Sequence, residues 1–401
     1  MNIIFLTISR ITDINQRGIY TDLMRKFRDE GHNVTIVNPV ERKFKLPTKL
    51  IEQDGIRLLN VKTLNVQKTN VVEKGLGIIL LEYQFIKAIN RHLGTEKFDL
   101  ILYSTPPITV TKIIGKLKKA NPKAITYLLL KDIFPQNAVD LEMFSKNSII
   151  YKFFRAKEKK LYKLSDYIGC MSPANVEYVI SHNPEVNPTK VEVCPNSIEL
   201  QIDSNLKSRD SLSKYQVPEN RTLFIYGGNL GKPQGIDFLL KIIESNKNND
   251  KAFFMIVGSG TEYKKVEAWI AGNNPTNARL IPGLPKQEYD QLVRACDVGL
   301  IFLDPRFTIP NYPSRLLSYM EYKMPVLAAT DKCTDVGKLA QENGYGYWCE
   351  NGNLEEFNKY VRQFCNNENL ISEMGKKGYE HLLANYTVDK SCEIIMKNLN
   401  S

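Results

Sequence analysis

Short, uniformly apolar runs alternate with longer amphipathic stretches along almost the whole chain, and this alternation occurs twice. In the first half the runs are 2–8 (NIIFLTI), 33–39 (NVTIVNP), 98–104 (FDLILYS) and 124–130 (AITYLLL). In the second half they are 222–228, 252–260, 278–282, 298–304, 325–330 and 344–350. A strand covered by helices on both faces has no solvent side, so it reads as a continuous apolar run rather than as an alternation. Helical spacing intervenes at 19–30 (stopped by Gly31), 79–93, 234–246, 261–271 and 286–295. Repeated β-α units of this kind form open parallel sheets, and 401 residues exceed what one ordinary core serves. The expected fold is therefore α/β, two Rossmann-like doubly wound domains facing a central cleft. Their spans are 1–200 and 201–384, with a helix over 385–401 that packs back on the first domain. The connector is expected between 194–200 and Arg221. Pro39 is expected to stop the second strand, and residues 40–75 read as an irregular excursion of the first domain.

Charge narrows the partners. Residues 1–200 carry 30 Lys and Arg against 20 Asp and Glu, and residues 201–401 carry 24 of each, so the formal charge of +10 belongs to the first half. Two runs stand out. Lys112, Lys116, Lys118, Lys119 and Lys123 have no acid among them, and 151–163 (YKFFRAKEKKLYK) interleaves aromatic with basic residues. A solvated helix face explains either run, and so does docking on anionic lipid. No nucleic-acid-binding signature accompanies the charge, so the expected partner is an anionic membrane surface and not nucleic acid. No run approaches the length of a membrane span, and the amino terminus lacks the basic region of a signal peptide. Seven cysteines without a CxxC pair read as free thiols in a reducing compartment, which places the protein in the cytoplasm. The four histidines (32, 92, 182 and 381) show no ligand spacing, and no metal is expected.

In doubly wound sheets ligands lie beyond the carboxyl ends of the strands. The turn 225–235 (IYGGNLGKPQG) ends a strand in two glycines, which admit positive φ and let a ligand approach the backbone closely. Lys232 follows as a positive charge. Such a turn is common in itself, so phosphate binding at Gly228, Asn229 and Leu230 and a plain turn are both readings of it. At 313–331, Pro313 suits a first helical turn, Ser314 a cap with free N–H groups beside it, and Arg315 a bidentate contact to a diphosphate. Leu316 belongs to the apolar face of the same helix. The strand ends carrying Gly258 with Ser259, and Leu284 with Pro285, supply backbone groups for a base or ribose.

In this order the segments resemble the retaining glycosyltransferases of family 4 (group 1), which have the GT-B architecture. The resemblance rests on Gly228, Leu230, Gln234 and Gly235; on Val257, Gly258 and Gly260; on Gly283-Leu284-Pro285; on Cys296-Asp297-Val298; and on Lys323 to Ala328. Segments 131–141, 166–179 and 194–200 look like the branch that builds bacterial capsule, O-antigen and exopolysaccharide units. The resemblance implies transfer of a sugar from a nucleotide diphosphate sugar, UDP-linked, to a lipid-linked saccharide acceptor. It implies no cofactor beyond the donor, with Lys232 and Arg315 carrying the charge that a metal carries elsewhere; no Asp-x-Asp occurs in the chain. The family's paired glutamates fall at Pro310 and Ser318, leaving the neighbouring Asn311 for the sugar hydroxyls and Glu321 for the ribose. Where many members place a histidine stands Lys131, followed by Asp132, which either orients the acceptor or caps the next turn. The loop 9–18, ending in Arg17 and Gly18, is expected near the acceptor or the donor phosphate. Two other readings share the fold: a sugar-nucleotide epimerase, which needs more acid–base side chains than four histidines suggest, and a non-catalytic nucleotide-binding relative.

Overall fold

Hydrogen bonding gathers the apolar runs into two sheets. The computed structural model describes residues 1–65, 71–201, 209–218 and 220–399. They form two units, one of residues 1–199 with 388–401 and one of residues 200–387. Residues 66–70 of the expected excursion, and 202–208 and 219 of the expected connector, lie outside the described residues.

The first unit holds β1 (Asn2–Leu6), β2 (Asn33–Glu41), β3 (Lys49–Gln53), β4 (Ile56–Thr63), β5 (Leu100–Ser104), β6 (Ile125–Leu130), β7 (Tyr167–Cys170) and β8 (Val191–Val193). Their spatial order is β3-β4-β2-β1-β5-β6-β7-β8, parallel throughout except for the β3–β4 pair. Ile3, Ile4 and Phe5 of β1 and Leu100 to Tyr103 of β5 are fully buried. Chain order reverses between β1 and β5.

Residues 40–65 are more regular than expected. β2 runs through Pro39 to Glu41, and β3 and β4 form a hairpin turned by Asp54 (φ 49°) and Gly55 (φ 74°). Pro39 is tolerated because β1 ends opposite Val37; beyond that point β2 is bordered only by β4, and the absent N–H leaves no partner wanting on the β1 side. The carboxyl-terminal helix Val388–Lys397 belongs to the first unit. It packs on the helix Ile19–Asp29, placing Cys392 and Ile395 in the core with Met24 and Phe27. Lys26 Nζ meets Asp389 Oδ1 at 2.6 Å, and Val388 N–H donates to Ile198 O at 3.1 Å.

The second unit holds β9 (Thr222–Asn229), β10 (Ala252–Ser259), β11 (Ala278–Pro282), β12 (Val298–Phe302), β13 (Val326–Thr330) and β14 (Gly346–Glu350). All are parallel, in the order β11-β10-β9-β12-β13-β14, so the reversal lies between β9 and β12. Helices Ile236–Ser245, Tyr263–Asn273 and Lys286–Ala295 occupy the expected crossovers. The helix Arg315–Glu321 is held on the sheet by Tyr319, whose ring occupies the space that a Cβ at Gly299 would need, 2.3 Å from Tyr319 Cδ2. The Tyr319 hydroxyl donates to Ile225 O at 3.2 Å. All seven cysteines are free. Among the described residues no helix is long and apolar enough to cross a membrane.

Candidate active site

An open parallel sheet leaves its crevice where strand order reverses. In the second unit this is the end of β9, where three backbone segments meet. Gly228 of β9 pairs with Gly258 of β10, and a Cβ at Gly258 would stand 1.8 Å from Gly228 O. A Cβ at Gly260 would stand 2.2 Å from Leu230 O. The glycines are thus demanded by the approach of backbone to backbone. Leu230 N–H donates to Ser259 O at 2.9 Å, and Glu262 N–H to Leu230 O at 2.8 Å. Within the turn, Gln234 Oε1 accepts from Gly231 N–H at 3.2 Å and from Asn229 Nδ2 at 3.1 Å, while Tyr226 hydroxyl donates to Asn229 O at 2.6 Å. The outcome is a pinned loop that exposes Gly228 and Asn229 and buries Leu230. Lys232 is exposed and opens the short turn Lys232–Gln234.

Arg315 lies one helical turn before Tyr319 and so projects over this loop. Its Cζ is 4.4 Å from the centre of the Tyr226 ring, and its Nη2 is 3.5 Å from the place a Gly228 Cβ would take. Its Nη1 is buried and has no hydrogen-bond partner. A buried guanidinium nitrogen without an acceptor is costly, by about 1–3 kcal/mol, unless an anion completes it. Gly228, Asn229, Leu230, Gly258, Ser259 and Arg315 therefore come together. Gly283, which precedes Leu284 and Pro285 in the chain, lies beside them: a Cβ there would stand 3.7 Å from Ser259 Oγ.

Other expected residues are placed differently. Ser314 is itself helical (φ −63°, ψ −17°), and its hydroxyl caps nothing. Leu316 N–H is bonded to Pro313 O and Leu317 N–H to Ser314 O, both at 3.2 Å, so these groups are not free as expected. Leu316 is fully buried in the core. Glu321, expected at the ribose, is 0% exposed and accepts from Gln201 N–H at 3.1 Å. Its carboxylate holds the start of the unit and shows no surface to a ligand. Asn311 is half-buried, with its N–H on Thr334 Oγ1 at 3.1 Å and its amide donating weakly to Ile309 O at 3.4 Å. Pro313 and Ser318 are half-buried. Sequence reasoning missed Tyr226 and Tyr289. The Tyr289 ring lies where a Cβ at Gly227 would be, 1.9 Å from its hydroxyl oxygen, and burial pushes its phenol up to about 12. Gly227 was the available signal, as a glycine one residue before the loop needs it.

The remaining residues belong to the first unit. Gly18 N–H donates to Asp22 Oδ1 at 2.9 Å and Arg17 Nη2 to Glu199 O at 3.2 Å. The amino end of the helix Ile19–Asp29 is thus closed by its own carboxylate, which leaves the Gly18 N–H no donor phosphate to bind. Lys131 and Asp132 follow β6 and are both half-buried. The Thr105 hydroxyl accepts from Lys131 N–H at 3.0 Å and donates to Asp132 O at 3.3 Å, fixing both backbones. Lys131 Nζ donates to Cys194 O at 3.2 Å, and burial pulls its ammonium down to about 8. Burial pushes the Asp132 carboxyl up to about 6, although Asn137 Nδ2 donates to its Oδ1 at 2.9 Å.

Residues 208–381 match the family described as glycosyl transferases group 1. The chain is 24% identical to a probable glycosyltransferase, WbjE of Pseudomonas aeruginosa, over 93% of its own length and 91% of the relative's. Among solved structures it resembles sucrose-phosphate synthase of Thermosynechococcus elongatus (TM-score 0.76, 14% identity, covering 100% of this chain and 98% of that one). It also resembles HepE of Anabaena, solved with UDP and glucose (TM-score 0.71, 16% identity, covering 100% and 99%). These structures share the GT-B fold with this chain.

Proposed function

We propose that this chain, a glycosyltransferase whose residues 208–381 match the group 1 family, is a retaining enzyme using a UDP-sugar. The observation that carries this reading is Arg315, a half-buried cation with one buried, uncompleted nitrogen, set against the bare backbone of Gly228. A diphosphate seated there accepts from Arg315 and faces Lys232, so the charge that grows on it as the C1–O bond breaks meets fixed donors. The sugar C1 becomes oxocarbenium-like. The acceptor hydroxyl oxygen then bonds to C1 from the face the diphosphate leaves, and its proton passes to a leaving phosphate oxygen. Lys232 and Arg315 supply the positive charge in this scheme, and no metal cofactor is assigned. Ser259, Leu284 and Pro285 border the base, and Asn311 and Ser318 the sugar and ribose. HepE, solved with UDP and glucose, supports the choice of donor.

On the acceptor side we assign Asp132 to the acceptor hydroxyl or the developing cation, with Lys131 beside it and Arg17 and Gly18 bordering the same end of the first unit. The acceptor is a lipid-linked saccharide of bacterial surface polysaccharide synthesis. The enzyme works at the cytoplasmic face of the membrane, held by the basic first half. Incubation with a panel of UDP- and GDP-sugars, with slow nucleotide release measured, tests this. UDP-sugars should bind and be hydrolysed, more slowly in Lys232→Ala; no nucleotide binding and no release from any donor would sink the reading.

A further inference from the structure

The helices Val71–Leu93 and Thr111–Ala120 pack side by side on the first unit and enclose a groove of about 660 Å³. Lys87, Arg91, Lys112 and Lys116 line it, with Tyr83 and a single acid, Glu82. Glu82 is already engaged, accepting from Lys112 N–H at 2.6 Å and standing 3.7 Å from Lys157 Nζ. The four cations are exposed, and no described carboxylate pairs with any of them. Four like charges gathered on facing helices repel one another until an anion enters, and their field draws anions in.

The flanks of the groove are apolar. Leu80 and Tyr83, at helical spacing with Lys87, are exposed, Tyr83 by 63%. The helix Ile149–Leu164 packs against Thr111–Ala120 and is tied to Glu82 through Lys157. One turn before Lys157, Phe153 is 50% exposed, and Ile149 and Ile150 at the helix start are 85% and 54% exposed. A soluble phosphate ligand gains nothing from such residues, whereas lipid offers a phosphate with hydrocarbon beside it.

We propose that this groove seats the phosphate headgroup of an anionic membrane lipid while Leu80, Tyr83, Phe153, Ile149 and Ile150 enter the acyl boundary. The proposal rests on the membrane-side reading above and gives it a site. It moves the contact from the aromatic-basic run 151–163 as a whole to the groove beside it, because Leu161 and Tyr162 of that run are buried in the unit.

Sedimentation of the full-length protein with phosphatidylcholine vesicles, alone or mixed with phosphatidylglycerol, tests it. Each cation near an anionic surface is worth on the order of fivefold in partitioning. Lys112→Ala/Lys116→Ala should therefore weaken binding to the mixed vesicles roughly 25-fold. Lys264→Ala/Lys376→Ala, in the second unit, should leave it unchanged. Phe153→Ser should weaken it too, without changing its salt dependence. Equal binding by wild type and groove variant overturns the proposal. So does displacement from vesicles by glycerol phosphate, which marks a soluble-phosphate site, or by a short RNA with the same groove dependence. Nucleotide-sugar binding in vesicle-free solution is independent of the groove, so its failure would sink the donor reading while the vesicle result stood by itself.

Discussion

Replacing Arg315 by Met separates a ligand-binding cation from a structural one, because the two roles predict opposite signs. Methionine keeps much of the volume and packs on Tyr226, but it removes the charge. Without ligand, the variant loses the cation–π contact at 4.4 Å, worth about 1 kcal/mol. It also loses the uncompleted buried Nη1, whose penalty is about 1–3 kcal/mol. The balance falls near zero or in favour of the variant. With UDP bound, the loss is a charge-assisted bond to the diphosphate of about 1.5–3 kcal/mol, or roughly 10- to 150-fold in Kd. At a UDP concentration about 100 times the wild-type Kd, ligand stabilises the wild type by about 2.7 kcal/mol. A variant with about 50-fold weaker binding would gain only about 0.6 kcal/mol at that concentration. Titration calorimetry with UDP and thermal melting with and without it measure both quantities. A variant that loses about 2 kcal/mol or more without ligand while keeping wild-type UDP affinity would refute the reasoning.

Asp132 yields a prediction in pH. Its carboxyl is raised from 3.8 to about 6 by burial, so the folded state holds the proton more tightly than the unfolded one. The associated stability is present below about pH 4 and is lost as pH rises through 6. Asp132→Asn should therefore match wild type below pH 4 and exceed it above pH 6, by about 3 kcal/mol, while transfer slows and UDP affinity holds; a difference flat with pH would contradict the burial. Glu321→Ala should cost about 1–3 kcal/mol by leaving Gln201 N–H without its acceptor. Its UDP affinity should stay at the wild-type value, and a selective loss of UDP binding would restore Glu321 to the ribose. Gly258→Ala should cost about 3 kcal/mol in denaturant unfolding, since its Cβ meets Gly228 O; a neutral outcome would mean that β9 and β10 yield more easily than their pairing suggests.

Periodicity made much of the fold legible. The uniformly apolar runs at 2–8, 98–104 and 222–228 announced buried parallel strands because burial on both faces is a property of one segment and its composition. The hairpin β3–β4 was not legible in the same way: an edge pair has one solvent face, and Pro39 looks like a stop until the end of β1 removes the need for its N–H. The glycine loop was legible as a loop, since Gly228 and Gly258 are residues that only close backbone approach requires.

The sequence by itself determined the two sheets, the glycine turn after β9 and the excess of positive charge in the first half. These follow from local composition and spacing. Tertiary structure alone decided which side chains face the turn. Arg315 reaches Gly228 because Tyr319 beds its helix on Gly299, while Glu321 on the same short helix is drawn inward to Gln201. It also decided that Lys87 and Arg91 meet Lys112 and Lys116 across a groove. Such encounters join segments distant in sequence, and they depend on how elements pack rather than on what any element contains.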